Sequence, residues 1–61
     1  MKKLSGIYVD NQGFRHTVYY ERSKGLYCKF IHNPEGKYCS SMCGTKEQIQ
    51  NQVEGMKRVI R

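Results

Sequence analysis

Tryptophan is absent from this 61-residue chain, proline occurs once, and acidic residues are scarce. Each absence narrows the reading. Without tryptophan, and with an apolar share of 38%, a core has to be assembled from five tyrosines, two phenylalanines and scattered aliphatic residues. A chain this short buries only about 60% of its unfolded surface, so its stability is marginal without a staple or a partner. No apolar run approaches the roughly 18 residues of a membrane span. Met1-Lys2-Lys3 begins like a signal sequence, but no apolar segment follows it. Neither export nor a membrane partner is therefore expected. Paired carboxylates are lacking, the six glycines serve turns rather than a phosphate loop, and no Ser-His-Asp or Cys-His arrangement is legible. The chain is accordingly not expected to be an enzyme, and no cofactor is expected. Three cysteines make an odd count, whereas a secreted domain of this size usually carries an even, bridged set. That favours a reducing cytoplasm and free thiols.

What the chain does contain is two periodicities. Ile49, Val53, Met56 and Ile60 recur at steps that stack them along one side of an α-helix. Thr45 followed by Gln48 has the pattern of a capping box, and Gly44 lets the chain turn in. The spacing predicts a helix over about residues 45–60. Upstream the pattern alternates and predicts strands over about 4–10, 14–22, 26–33 and 37–43. The connections Asn11-Gln12-Gly13, Ser23-Lys24-Gly25 and Pro34-Glu35-Gly36 each end on glycine, which suits a three-residue hairpin loop closed by a left-handed residue. The predicted fold class is α+β: one domain, with a four-stranded antiparallel meander followed by one C-terminal helix packed on one face.

Three-residue loops dictate a register, and register decides which side chains share a face. Asp10 then opposes Phe14, Arg22 opposes Leu26, and Asn33 opposes Lys37. The helix is expected on the face bearing Tyr8, Phe14, Val18, Phe30 and Met42. That face also collects Leu4, His16, Tyr20, Leu26, Cys28, His32 and Tyr38. The other face gathers Ile7, Val9, Thr17 and Ile31 around Arg15, Tyr19, Tyr27, Lys29 and Lys37, with Cys39 and Cys43 beyond. One helix covers one side of a sheet, so this second face is expected to stay open.

Eleven Lys and Arg stand against five Asp and Glu, a formal charge of +6 that points to a polyanionic partner. Rings interleaved with cations on an open sheet make a platform for single strands, because bases stack on the rings at about 1–3 kcal/mol each while the cations follow the phosphates. The expected site is Arg15, Tyr19, Tyr27, Lys29 and Lys37, and the expected ligand is single-stranded DNA or RNA bound with little sequence specificity. Tyrosine and β-branched residues also favour strands for packing alone. An apolar face on so small a protein is commonly an interface between copies, so a homodimer is expected as well. The alternative function is a small inhibitor or adaptor, of the phage or plasmid type, that docks on an acidic protein surface.

Cys28, His32, Cys39 and Cys43 have the chemistry of zinc ligands, in the order C-x3-H-x6-C-x3-C. Their spacing lacks the tight C-x2-C pair, and the register above divides them between faces. No metal is expected. His16 and His32 are expected opposite one another at the sheet rim. Lys57, Arg58 and Arg61 would complement the dipole of a last helical turn, or with Lys2 and Lys3 extend a phosphate-contacting margin. Gly55 inside that helix is unfavourable by about 1 kcal/mol against alanine. Four meandering strands followed by one helix, on a basic chain, resemble the unit of the Whirly and Pur-alpha type single-stranded nucleic-acid binders. The resemblance spans nearly the whole chain in element order, without a matched motif. It implies paired units with nucleic acid lying across the sheets, and it carries no individual binding residue.

Overall fold

Alternating side chains put one flank of each strand toward a core and the other toward solvent, and turn chemistry decides where each strand begins. A computed structural model describes residues 3–60, the Ile60 side chain excepted. The strands are β1 (Gly6–Val9), β2 (Arg15–Glu21), β3 (Leu26–His32) and β4 (Tyr38–Gly44). Helix α1 (Lys46–Val53) follows, and the chain then forms β5 (Lys57–Ile60). All pairings are antiparallel, in a five-stranded sheet of order β4-β3-β2-β1-β5. The α+β class and the meander therefore stand as expected, with a fifth strand added.

Asp10 and Asn33 build the first and third turns. The Asp10 carboxylate Oδ1 accepts from the backbone N–H of Gln12 and of Phe14, each at 2.9 Å, and Asn33 Oδ1 accepts from Lys37 N–H at 2.8 Å. Such side-chain caps are why Asp and Asn favour turns. These two loops keep the expected geometry, with the Asp10 and Asn33 N–H groups donating to the Phe14 and Lys37 carbonyls.

The second turn differs. Lys24 and Gly25 both donate to the Glu21 carbonyl, at 3.2 and 2.9 Å, so Glu21 rather than Arg22 pairs with Leu26. Gly25 closes this wider loop at φ +66°, a conformation in which a Cβ is strained. The added loop residue shifts β3 by one and exchanges its two faces. Tyr27, Lys29 and Ile31 come under the helix, while Cys28, Phe30 and His32 turn outward. A second irregularity follows: Tyr38 pairs with His32 but Ser40 pairs with Ile31, leaving Cys39 as a bulge. Beyond the bulge, Met42 and Cys43 return to the sides expected of them.

Helix α1 begins with the expected capping box. Thr45 Oγ1 accepts from Gln48 N–H at 3.2 Å, and Gln48 Oε1 accepts from Thr45 N–H at 2.9 Å. Ile49 and Val53 are buried against Tyr8 and Val18, with Leu4, Tyr27 and Met56 packed around them. The helix stops well short of residue 60. Glu54 is extended, Gly55 takes φ +85°, and the chain then pairs with the free edge of β1. Continuing the helix would hold Gly55 in its interior and leave β1 unpaired on that side, so backbone pairing wins. Lys57 and Arg58 thus belong to a strand rather than to a helix terminus, and Lys2, Arg61 and the Ile60 side chain lie outside the described residues.

The cysteines also correct the sequence reading. Cys28 and Cys43 face each other on β3 and β4 and form a disulfide, while Cys39 is free and exposed. The free-thiol argument for a reducing compartment is removed with it. The bridge joins residues 15 apart, a loop for which chain entropy predicts a stabilisation of about 3 kcal/mol. Among the described residues no helix is long and apolar enough to cross a membrane.

Candidate binding face

Register assembles the uncovered face row by row. Lys57, Val9, Arg15, His32 and Tyr38 are successive partners from β5 to β4, so one row crosses the whole sheet. Partners in register point the same way, and Tyr8 and Val18, an odd number of residues from Val9 and Arg15, point into the core. The next row carries Ile7, Thr17, Phe30 and Ser41, and the one after it Tyr19 with the Cys28–Cys43 bridge. Glu21 and Leu26 close the far end.

Four rings run continuously over this surface. Tyr19 stacks on Phe30 at 5.4 Å between centroids and 24° between planes. Phe30 meets Tyr38 edge-on at 6.2 Å, and Tyr38 meets His32 edge-on at 5.8 Å. These separations lie in the attractive range for aromatic pairs, so the rings hold one another in place. Even so, Phe30 keeps 37% and Tyr38 55% of its surface exposed. Arg15 and Lys57 are exposed in the row beside them, and Lys37 is exposed just before β4. Of the nearby acids, Glu21 sits at the opposite end and accepts from Ser23 Oγ at 2.6 Å, and Glu35 is exposed in the turn before β4.

The expected site residues divide accordingly. Arg15 and Tyr19 lie on the open face, and Lys37 lies at its rim. Tyr27 and Lys29 do not. Tyr27 packs at the margin of the core and against Tyr20, with centroids 5.1 Å apart, and Lys29 is 2% exposed on the helix side. The wider second loop is the physical reason for both. Phe30, His32 and Tyr38, expected under the helix, and Lys57, expected within it, take their places. The signal for the first three was ambiguous, because Arg22-Ser23-Lys24-Gly25 closes a four-residue loop as readily as its last three residues close a shorter one.

Other expected groupings dissolve in the same way. His16 pairs with Ile31 and His32 with Arg15, so the histidines lie on opposite faces. Cys28 and Cys43 are bound to each other, and among the described residues no group of three His, Cys, Asp or Glu stands close enough to hold a metal. On the covered face, Asp10 Oδ2 is 3.0 Å from His16 Nε2. That hydrogen bond, with the two backbone N–H donors on Oδ1, holds the Asp10 carboxyl below its ordinary pKa, against a burial effect of opposite sign. Burial lowers the Lys29 pKa, and the Asp10 charge works against it. Both effects belong to the underside of the sheet. The open face is left with Arg15, Lys37 and Lys57 as cations beside the four rings, with Ile7 and Val9 on the β1 side. Comparison with protein-family models, with curated proteins and with solved structures found no match for this chain.

Proposed function

We propose that this protein binds single-stranded nucleic acid across the open face, with little sequence specificity. The observation that supports the reading is the run of Tyr19, Phe30, Tyr38 and His32, partly exposed and bordered by Arg15, Lys37 and Lys57. A ring offers its π-face to any base, so stacking on this run of rings favours no base over another. A duplex keeps its bases stacked inside, so the rings would gain nothing from one. The proposed site thus comprises Arg15, Tyr19 and Lys37, as expected from the sequence, together with Phe30, His32, Tyr38 and Lys57.

Fluorescence anisotropy of a labelled oligonucleotide over a salt series separates the two contributions. Each phosphate neutralised contributes about −0.7 to the slope of log affinity against log salt for single strands. Arg15→Gln and Lys57→Gln should each flatten the slope by about that much, weakening all sequences alike. Tyr38→Ala should lower affinity with the slope unchanged, because stacking releases no counterions. Absence of binding at low salt, or a slope indifferent to the loss of Arg15, Lys37 and Lys57 together, would remove this reading in favour of docking on an acidic protein. Self-association is a separate part of the proposal. It is supported by β4, an uncharged edge strand that is exposed from Tyr38 to Cys43. Sedimentation equilibrium should give twice the chain mass, and a monomer at high concentration would exclude it.

A further inference from the structure

The opposite side of the molecule holds a cavity that the open face does not use. About 520 Å³ in volume, it lies between α1 and the β1–β5 edge. Its floor is apolar, made by Leu4, the Tyr8 ring and Val53. Lys3, Lys46 and Arg58 line it, with the amides of Gln50 and Asn51, against the single carboxylate of Glu54. Helical spacing brings Lys46 and Gln50 to one flank of α1, Glu54 follows at the helix end, and β5 carries Arg58 in from the other side.

Arg58 is held in place. Its Nη2 donates to the Ser5 carbonyl at 2.6 Å, and its guanidinium lies 5.7 Å from the centre of the Tyr8 ring. Tyr8 is itself anchored through its hydroxyl, which donates to the Leu4 carbonyl at 2.6 Å. Arg58 Nε is buried with no acceptor. Among the described residues the one ion pair joins His16 to Asp10, so Lys3, Lys46 and Arg58 are all without a carboxylate partner. Three uncompensated cations over an apolar floor call for a ligand that is anionic at one end and apolar or flat at the other.

We propose that this cavity binds a small phosphate monoester with a ring-bearing body. A monoester carries a charge of about −1.5 to −2 near neutrality, which three cations match better than they match a carboxylate or an internal phosphodiester. The volume lies within the roughly 300–1,000 Å³ of small-molecule sites, and a bare phosphate ion would leave most of it unfilled. Arg58 supplies the guanidinium N–H groups that Ser5 leaves free, and the two lysines supply point charges. The site is independent of the open face, because Tyr8 and Arg58 lie on the helix side of the sheet. A free nucleotide-sized ester and the 5′-phosphate of a strand share this chemistry.

The test uses the full-length oxidised protein, titrated with adenosine monophosphate, adenosine and inorganic phosphate by heteronuclear NMR. Adenosine monophosphate should bind with one-to-one stoichiometry and shift Arg58 and the Gln50 and Asn51 side-chain amides. Adenosine, which lacks the charge-assisted pairs, and inorganic phosphate, which lacks the body that covers the apolar floor, should each bind at least about tenfold more weakly. Lys46→Gln and Lys3→Gln change exposed side chains and should each weaken adenosine monophosphate several-fold without moving the melting temperature. Glu54→Gln should strengthen it. Tyr38→Ala on the open face should leave it unchanged. Equal binding of adenosine and its monophosphate, shifts confined to the open face, or indifference to Lys46→Gln would overturn the proposal. A Lys46-dependent preference for a 5′-phosphorylated oligonucleotide over its 5′-hydroxyl form would identify a strand end as the source. Binding of adenosine monophosphate without that preference would identify the free ester.

Discussion

The two faces of the sheet are built from similar residues and reach different ends. Below it, Tyr8 and Val18 meet Ile49 and Val53 of the helix and form the buried cluster. Above it, Tyr19, Phe30, Tyr38 and His32 pack on one another with no helix over them. The covered face is not the more apolar one throughout, since it buries Lys29 while the open face leaves Phe30 and Tyr38 in water. Face assignment in β3 therefore followed the loop that precedes it rather than the hydrophobicity of its residues. A one-residue loop change moves every later side chain at once, and no single burial can outvote that.

Four measurements break or sharpen the contrast. The largest effect is expected at Ile49, which is fully buried. Ile49→Ala should cost about 2–5 kcal/mol, enough to unfold so small a domain, and a mild loss in thermal melting would deny the helix its role as the lid. Next comes the bridge across β3 and β4. Cys43→Ser, or reduction with a dithiol, should lower stability by about 3 kcal/mol through the freed loop. Denaturant curves in both redox states give this figure directly, and identical curves would show the bridge to be dispensable.

The third comparison sets the faces against each other. Tyr27→Ala should destabilise the protein more than Phe30→Ala does, because Tyr27 packs against the core and Phe30 stands on the open side. The opposite order would restore the three-residue second loop. The smallest effect concerns Lys29. Lys29→Met should raise stability by on the order of 1 kcal/mol, about 4–8 °C in melting temperature, by replacing a lysine set into the helix side with an apolar chain of similar length. Burial lowers the Lys29 pKa in the folded state, so the unfolded chain binds more protons between that value and 10.5. Wild-type stability from this residue should thus rise with pH across that window. The advantage of Lys29→Met should be full below it and shrink toward pH 10.5. An advantage independent of pH would mean that the amine is solvated.

Several elements were legible without coordinates, because each depends on neighbours in the chain. Thr45 and Gln48 cap a helix whichever sheet lies beside it, and Ile49 and Val53 share a face by helical geometry alone. Asp10 and Asn33 bond to backbone groups a few residues away, which places the first and third turns. The alternation of β2 put Arg15 and Tyr19 together on one face, and these two, with Lys37 at the rim, are the expected residues that lie on the open side.

What the sequence by itself determined, then, is the class of fold, the start of the helix, two of the three turns, and an excess of positive charge. Only the tertiary structure decided the rest. The second loop can close over three or four residues at similar local cost, and burial of Tyr27 against the core accompanies the wider form. Gly55 is tolerable in a helix but suits a left-handed turn, and the unpaired edge of β1 draws residues 57–60 into a strand. The Cys28–Cys43 bridge needs the bulge at Cys39, which puts Cys43 rather than Met42 opposite Cys28 across the β3–β4 pair. Local spacing governs bonds between near neighbours, whereas register is a long-range choice among closely matched alternatives, and it is settled when distant surfaces pack.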